Sequence, residues 1–212
     1  GSGATPGIYE VQTGSDGALN ILADQENGVA EVRASNGNGS DNEYAGISLP
    51  ELAFTGERNA VMAVRLAIDT LTTVKVEVGF TDVTTDAGAV NTKATPSFTA
   101  SNAAVWCLDT DDNAYWEGLA VKAGTAATTV EAAISPTAAT FETLIVALRD
   151  TNAKYIRLNA NGYKTYESVW QTDAVTAATA LVPWVFVQLR AGTIDRNLSL
   201  DFIDVRARRT AS

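Results

Sequence analysis

Apolar and polar positions along most of the 212-residue chain alternate with the two-residue period of a β-strand, not the 3.6-residue period of a helix. The clearest example is the segment 74–78, in which three valines fall on one face while Lys75 and Glu77 fall on the other. This pattern predicts an antiparallel strand over 73–80 that is buried on one face only. The apolar run 61–68 just before it predicts the partner strand of a hairpin.

Further short strands are predicted where apolar runs are bounded by turn residues. The strongest local signal is Asn161-Gly162 between the runs 154–159 and 163–166, because both residues of a two-residue hairpin turn take positive φ. About ten short strands predict an all-β fold, an antiparallel β-sandwich or jelly roll. The other predicted strands cover 103–108, 116–122, 128–134, 143–149, 184–190 and 198–205.

The first 45 residues differ from the rest in composition. Short strand-like pieces at 8–11, 18–22 and 29–33 are separated by Gly, Asn, Asp and Ser, and the segment 35–42 consists almost entirely of such residues. The sequence therefore predicts an irregular N-terminal extended arm with short strands over 1–45 and a jelly-roll β-sandwich domain over 46–212.

The composition excludes several kinds of functional site and several classes of partner. The chain has no histidine and one cysteine, Cys107, which excludes a Ser-His-Asp triad, imidazole metal ligands, an intrachain disulfide and a thiolate zinc site. The 25 acidic and 15 basic side chains give a net charge of −10, which argues against a nucleic-acid partner. No apolar run reaches the about 18 residues that a membrane span needs. We expect no nucleic acid, no membrane and no cofactor.

A cluster of oxygen-bearing side chains follows the predicted strand 103–108. Asp109, Asp111 and Asn113, with Glu117 after them, partly match the spacing of a calcium loop, but Ala114 stands where that loop needs glycine. The alternative is a solvated turn whose side chains bond to nearby backbone. We predict the turn and no metal site.

Aromatic side chains are candidates for the core and for sugar contacts. Trp106 and Trp184 lie inside apolar strands and are predicted to be core residues. Tyr155, Tyr163 and Tyr166 surround the Asn-Gly hairpin, so they are candidate glycan contacts if they are exposed. Cross-strand aromatic pairing explains the three tyrosines equally well.

Arginines are concentrated at the C-terminal end of this acidic chain. Arg206, Arg208 and Arg209 form either a solvated basic tail or a candidate interface with an acidic partner surface or a sister subunit. Alternation along the last predicted strand places Arg206 and Arg208 on the same side.

Over residues 59–208, the order of strands and turns resembles the concanavalin A-like (laminin-G-like) jelly-roll domain of tailed-bacteriophage structural proteins, of the head decoration and fibre type. The segments that carry the resemblance are 74–82, the turn 109–111 with Trp116, the hairpin 155–163, and 181–185 followed by 198–205.

The resemblance implies a virion structural protein, a capsid decoration or cement protein on the capsid exterior. Its partners would be the major capsid protein, bound by the jelly roll and the arm, and sister copies, with a homotrimer as one arrangement. The alternative is a carbohydrate-binding, lectin-like adhesin of a phage fibre or tail that binds a host-surface glycan.

Hydrolases that share this jelly roll resemble one another in a Glu-x-Asp-x-Glu strand, which this sequence lacks. Glycoside hydrolysis needs two carboxylates facing each other across about 5–9 Å. Asp201 and Asp204 are three residues apart in a predicted strand, so they should point to opposite faces and serve as partners of nearby arginines. We therefore predict that the protein is not an enzyme.

Overall fold

The computed structural model describes residues 10–13, 17–21, 28–34, 42–49, 53–84 and 88–209. The regular secondary-structure elements in these ranges are β-strands. In chain order they are β1 (Glu10–Thr13), β2 (Ala18–Ile21), β3 (Ala30–Arg33), β4 (Tyr44–Ser48), β5 (Val61–Ile68), β6 (Val74–Thr81), β7 (Val90–Thr92), β8 (Ser97–Phe98), β9 (Ala103–Asp109), β10 (Asn113–Lys122), β11 (Thr125–Ala126), β12 (Val130–Glu131), β13 (Glu142–Arg149), β14 (Asn152–Leu158), β15 (Lys164–Glu167), β16 (Val182–Leu189) and β17 (Asn197–Arg206).

Two large sheets form a sandwich. The first sheet has the order β1-β4-β16-β6-β9-β10-β11, with β12 also paired to β10, and the second has the order β15-β14-β13-β5-β17-β3-β2. The pairings are antiparallel, and β7 and β8 form a small separate pair. The predicted all-β, antiparallel sandwich is confirmed. In the described ranges, no helix has the length and apolar character that crossing a bilayer requires.

The main core lies between the two sheets and comes from the alternation seen in the sequence. Val76 and Val78 of β6 face Val64 and Leu66 of β5 across this core, and all four are fully buried. Trp106 lies in the same core, and its indole Nε1 donates to the carbonyl of Ile145 at 3.1 Å. Trp184 is also fully buried, so both tryptophan predictions are confirmed.

The predicted hairpin between 61–68 and 73–80 is wrong, although both strands exist. β5 lies inside the second sheet and β6 inside the first, so the chain between them crosses from one sheet to the other. Arg196 fixes this crossing, because its guanidinium donates to the Thr72 carbonyl and to the Thr73 hydroxyl, each at 2.6 Å. Alternation marks a strand but does not name its partner.

Strand β6 is buried on both faces, which corrects the prediction that Lys75 and Glu77 face solvent. Residues 88–100, which we call the strap, cover the outer face of the first sheet there. The Glu77 carboxylate accepts hydrogen bonds from the strap amides of Ala89 (2.7 Å) and Val90 (3.0 Å) and from the Trp184 indole (2.9 Å). The Lys75 ammonium lies 2.9 Å from the same carboxylate, so the two buried charges compensate each other.

The Asn-Gly hairpin is confirmed as an antiparallel pair of β14 and β15, but its connection is longer than a two-residue turn. Leu158 pairs with Lys164, and only Gly162, at φ 78°, takes positive φ in the turn while Asn161 does not. The side chain of Asn159 organises the loop by accepting from the amides of Asn161 and Tyr163, both at 3.0 Å.

The described strands of the segment 1–45 belong to the two sheets. β1 pairs with β4 at the edge of the first sheet, and β3 with β2 extends the second sheet beyond β17. Val32 is fully buried, and the Ala34 amide donates to the Arg196 carbonyl at 2.9 Å. The predicted strand-like pieces 8–11, 18–22 and 29–33 correspond to β1, β2 and β3. Residues 8–9 and 22 of these pieces, and the segment 35–41, lie outside the described residues.

A β-bulge in β17 overturns the expected placement of two aspartates. The register against β5 shifts between Leu200 and Phe202, so Asp201 and Asp204 both lie on the outer face of the second sheet. Their predicted arginine partners are confirmed: Asp201 pairs with Arg65, and Asp204 lies 2.7 Å from the Arg206 guanidinium.

Candidate functional site

The loops at one end of the sandwich are joined by the side chain of Asn102. Its Oδ1 accepts from the amides of Thr176 (2.9 Å) and Ala123 (3.3 Å), while its Nδ2 donates to the Asp82 carboxylate at 3.3 Å. The backbone amide of Asn102 donates to the same carboxylate at 2.8 Å. Asp82 also accepts from the Ser101 amide at 3.0 Å. One buried side chain therefore holds four loops in a fixed relative position, which is a suitable frame for a binding site.

A cleft of about 350 Å³ opens beside this frame, between the turn after β10 and the loop 172–176. Its charged groups are Lys122 and Asp173, whose side chains meet with Nζ 2.6 Å from Oδ1 and are 34% and 74% exposed. Ion pairs this exposed contribute little to stability, so both groups remain available to a ligand. The residues that line the cleft are Lys122, Ala123, Thr125, Ala126, Ala127 and Asp173.

The cleft owes its shape to a tight turn between β10 and β11. Lys122 pairs directly with Thr125, and the two residues between them, Ala123 and Gly124, take φ of 47° and 80°. Positive φ at both central positions is the geometry of the two-residue hairpin turns that match the twist of the strands. The turn therefore presents Lys122 at the mouth of the cleft.

This arrangement suits the binding of a polyol. The ammonium of Lys122 is a donor and the carboxylate of Asp173 is an acceptor, and together they can bind neighbouring hydroxyl groups of a polyol. The small side chains of Ala126 and Ala127 leave an apolar floor for C–H groups. Among the described lining residues, Asp173 is the one carboxylate, whereas glycoside hydrolysis uses two.

The three tyrosines chosen from the sequence do not form one surface. Tyr155 does not meet the condition of exposure for a glycan contact: it is fully buried, which raises the pKa of its phenol, and its hydroxyl donates to Gln171 Oε1 at 2.9 Å. Tyr166 is half-buried with its ring edge-on to Trp106, 5.8 Å between centroids, and its hydroxyl donates to the Glu131 carbonyl at 3.2 Å. Tyr163 alone is well exposed, at 71%, and remains a candidate contact.

The arginines at the end of β17 lie exposed at the same end of the sandwich as the cleft. The Arg208 amide donates to the Arg58 carbonyl at 2.7 Å, and its guanidinium lies 3.2 Å from the side-chain amide of Asn59. Arg206 is paired with Asp204 and its side chain is 80% exposed. Arg209 follows in the exposed segment after the strand. Their role as an interface stays a prediction.

The acidic turn 109–113 faces cations of the protein itself. Arg190 Nε lies 3.5 Å from the Asp109 carboxylate and 3.6 Å from that of Asp111. Burial raises the pKa of Asp109, and Arg190 opposes the shift. Asn113 Oδ1 accepts from the Lys93 ammonium at 2.6 Å. Within the described ranges, no group of three or more Asp, Glu, Cys or His side chains is placed to hold a metal ion.

Sequence reasoning did not identify Lys122 and Asp173. They are 51 residues apart, and neither belongs to a recognisable motif. A signal for half of the site exists in Ala123-Gly124, a turn-forming pair directly after a predicted strand. Nothing in the sequence indicates that the loop with Asp173 reaches this turn.

The sandwich is similar to several solved structures. It superposes on a protein of unknown function from Shewanella oneidensis MR-1 with a TM-score of 0.70 and 17% identity, covering 97% of this chain and 80% of that one. The exoplasmic/lumenal domain of VIP36, in its Ca²⁺/Man-bound form, superposes with a TM-score of 0.62 and 12% identity, covering 99% of this chain and 87% of that one. The legume lectin-like domain from Entamoeba histolytica superposes with a TM-score of 0.62 and 8% identity, covering 94% of this chain and 90% of that one.

The chain has a concanavalin A-like, legume lectin-like fold. At these identities the likeness concerns the fold alone, which agrees with the jelly roll predicted from the sequence. No family model and no curated protein matches the sequence.

Proposed function

We propose that this protein binds carbohydrate in the cleft formed by Lys122 and Asp173 and does not catalyse a reaction. The observation that carries the proposal is an exposed donor–acceptor pair, 2.6 Å apart, in a loop-end cleft of a lectin-like sandwich. VIP36, which shares the fold, has been solved in a mannose-bound form. The cleft volume falls within the about 300–1,000 Å³ common to small-molecule sites.

The chemistry of the cleft fits a neutral sugar. Two neighbouring hydroxyl groups present both an acceptor and a donor, so a vicinal diol can bond to Lys122 and Asp173 without leaving either charge unpaired. Charge-assisted hydrogen bonds of this kind are about twice as strong as neutral ones. Because Asn102 fixes the turn and the facing loop, little conformational entropy is lost on binding.

Replacing Lys122 with Met and Asp173 with Asn tests this site. Each variant removes one charged partner of the sugar, so we expect at least about a tenfold loss of affinity for the best ligand. The ligand is first found on an array of immobilised oligosaccharides, and affinities are then measured by titration calorimetry. The matched control is Lys164→Met, which removes an exposed, ion-paired lysine of β15 that does not line the cleft.

The proposal is overturned if the array gives no ligand, or if both cleft variants bind the ligand as tightly as the unmodified protein. Loss of binding in Lys164→Met as well would place the site elsewhere. Circular dichroism of each variant separates lost binding from lost folding.

A virion structural role is the second candidate, as a decoration protein on a capsid exterior. The observation that favours it is the set of exposed arginines, Arg206, Arg208 and Arg209, on a chain with a net charge of −10. Arginine is well suited to bidentate contacts with acidic groups of a major capsid protein.

This second candidate predicts that Arg206→Ala combined with Arg208→Ala weakens co-sedimentation with purified phage capsids by at least about tenfold. Raising the salt concentration should have the same effect on the unmodified protein. Lys122→Met serves as the control and should bind capsids normally. If the arginine variant co-sediments with capsids as well as the unmodified protein does, the virion structural role is contradicted. The two arginine substitutions should leave glycan binding unchanged.

A further inference from the structure

The outer face of the second sheet, across strands β15, β14, β13, β5 and β17, has an apolar centre. We call it the back face. Because side chains alternate along each strand, the register places one residue of each strand in every row of this face. The central side chains are half-buried in the single chain, and Phe202 is 42% exposed. The apolar residues of the back face are Val61, Ala63, Ile145, Ala147, Ile156, Leu158 and Phe202.

The carboxylates that surround this apolar centre are already neutralised within the chain. Glu167 pairs with both Lys154 and Lys164, and this contact lowers the pKa of its carboxyl to about 2. On the β17 side, Asp201 pairs with Arg65 and Asp204 pairs with Arg206. Covering the back face would therefore bury no unpaired carboxylate, and unpaired buried charges are what most penalise an interface.

The back face also differs in net charge from the whole chain. It carries five cations and three carboxylates, whereas the chain as a whole has a net charge of −10. Pairing two back faces therefore leaves the acidic surfaces that give the chain its net negative charge outside the contact. Arg149 stacks on the half-buried Trp170 at the rim, 4.3 Å from the ring, and Arg and Trp are enriched at interfaces.

The area of the back face reaches the minimum for a specific interface between two copies. The eight residues of β13 span about 27 Å, and the four longer strands of the face, β14, β13, β5 and β17, span about 19 Å side by side. Each copy would contribute about 500 Å², so a pair would bury about 1,000 Å², the lower bound for a specific interface. The small side chains of Ala63 and Ala147 let two such sheets approach to the usual spacing of about 10 Å.

We propose that two copies of this chain form a symmetric dimer through the back face, with the two-fold axis parallel to the strands. Such an axis places the β14–β15 edge of one copy, which carries Lys154, Lys164 and Glu167, over β17 of the other, which carries Asp201, Asp204 and Arg206. The first set has a net charge of +1 and the second a net charge of −1. The charges at the rim of the interface are then complementary. This dimer goes beyond the proposed carbohydrate binding and leaves the cleft of each copy open.

Sedimentation velocity of the full chain over a range of concentrations tests the proposal. The unmodified protein should approach twice the 22.3 kDa chain mass. Ala63→Glu adds an unpaired charge to the centre of the back face, and should weaken the dimer at least about tenfold. Ala191→Glu adds the same charge to an exposed position between β16 and β17, and should leave the dimer unchanged.

Phe202→Ser provides a second variant that removes apolar area without adding charge, and it should weaken the dimer as well. Thermal unfolding of both variants confirms that they fold. A monomer at every concentration overturns the proposal. The proposal is also overturned if the unmodified protein, Ala63→Glu and Ala191→Glu form dimers with the same dissociation constant, because the dimer would then use another surface. Glycan titrations are independent of these outcomes, so the carbohydrate proposal is judged separately.

Discussion

Glu77→Gln is expected to lower the free energy of unfolding by about 3–5 kcal/mol, the range found when one partner of a buried ion pair is removed. The Glu77 carboxylate is fully buried and accepts from two strap amides and the Trp184 indole while it neutralises Lys75. Glutamine has nearly the same shape, but its NH₂ group cannot accept a hydrogen bond. The variant therefore leaves a donor unsatisfied and removes the carboxylate that lies 2.9 Å from the buried Lys75 ammonium.

Denaturant titration measures this loss, and hydrogen exchange locates it at the amides of Ala89 and Val90. Replacing the pair together, as Lys75→Met with Glu77→Gln, should recover part of the stability, because the pair then buries no charge and the glutamine carbonyl still accepts from neighbouring donors. Glu167→Gln removes an exposed carboxylate with two lysine partners and serves as the control, with stability nearly unchanged. A loss below about 1 kcal/mol for Glu77→Gln would contradict the role given to Glu77.

Gly118→Ala is expected to destabilise the protein by about 2–4 kcal/mol, since overpacking a core costs about 1–3 kcal/mol and broken buried hydrogen bonds add to it. A Cβ at position 118 would lie 2.5 Å from Cδ2 of the Tyr155 ring. That ring is fully buried, stacks edge-on with Trp106 at 5.3 Å, and is held by a hydrogen bond to Gln171. The ring has to move, and its contacts are lost together.

The double variant Gly118→Ala with Tyr155→Leu checks this explanation. A smaller side chain at 155 makes room for the new methyl group. The double variant should therefore lose less stability than the sum of the losses in the two single variants. Both single variants and the pair are compared by thermal unfolding at the same pH. Strict additivity would show that Gly118 is required for a reason other than the approach of Tyr155.

The sequence located the strands well because the alternation that marks a strand is a local property. The segments 61–68, 143–149 and 198–205 appear as β5, β13 and β17 with bounds that differ by one residue or less. Which strands pair with each other, and which segments cover the face of a sheet, are not local properties. The predicted hairpin of β5 with β6 was wrong because the chain crosses between the sheets, and Lys75 was placed in solvent because alternation does not reveal the strap.

The candidate site was the least predictable part of the molecule. Its two charged groups come from a turn and a loop 51 residues apart, and only the folded sandwich brings them together. Tyr155 shows the opposite error: its place beside an Asn-Gly turn suggested a surface position, yet the strand alternation directs its ring into the core. A local turn signal does not determine on which face of the sheet a neighbouring side chain lies.

The positions of β16 and β17 have a consequence for the synthesis of the protein. They come last among the described strands, yet β16 lies between β4 and β6, and β17 lies between β3 and β5. While residues 182–206 are still inside the ribosome, each sheet lacks an interior strand and exposes two unpaired strand edges. Such edges recruit other extended chains. A nascent chain of this protein is therefore prone to aggregation until residues 182–206 have left the ribosome, and protease resistance should appear only after that point.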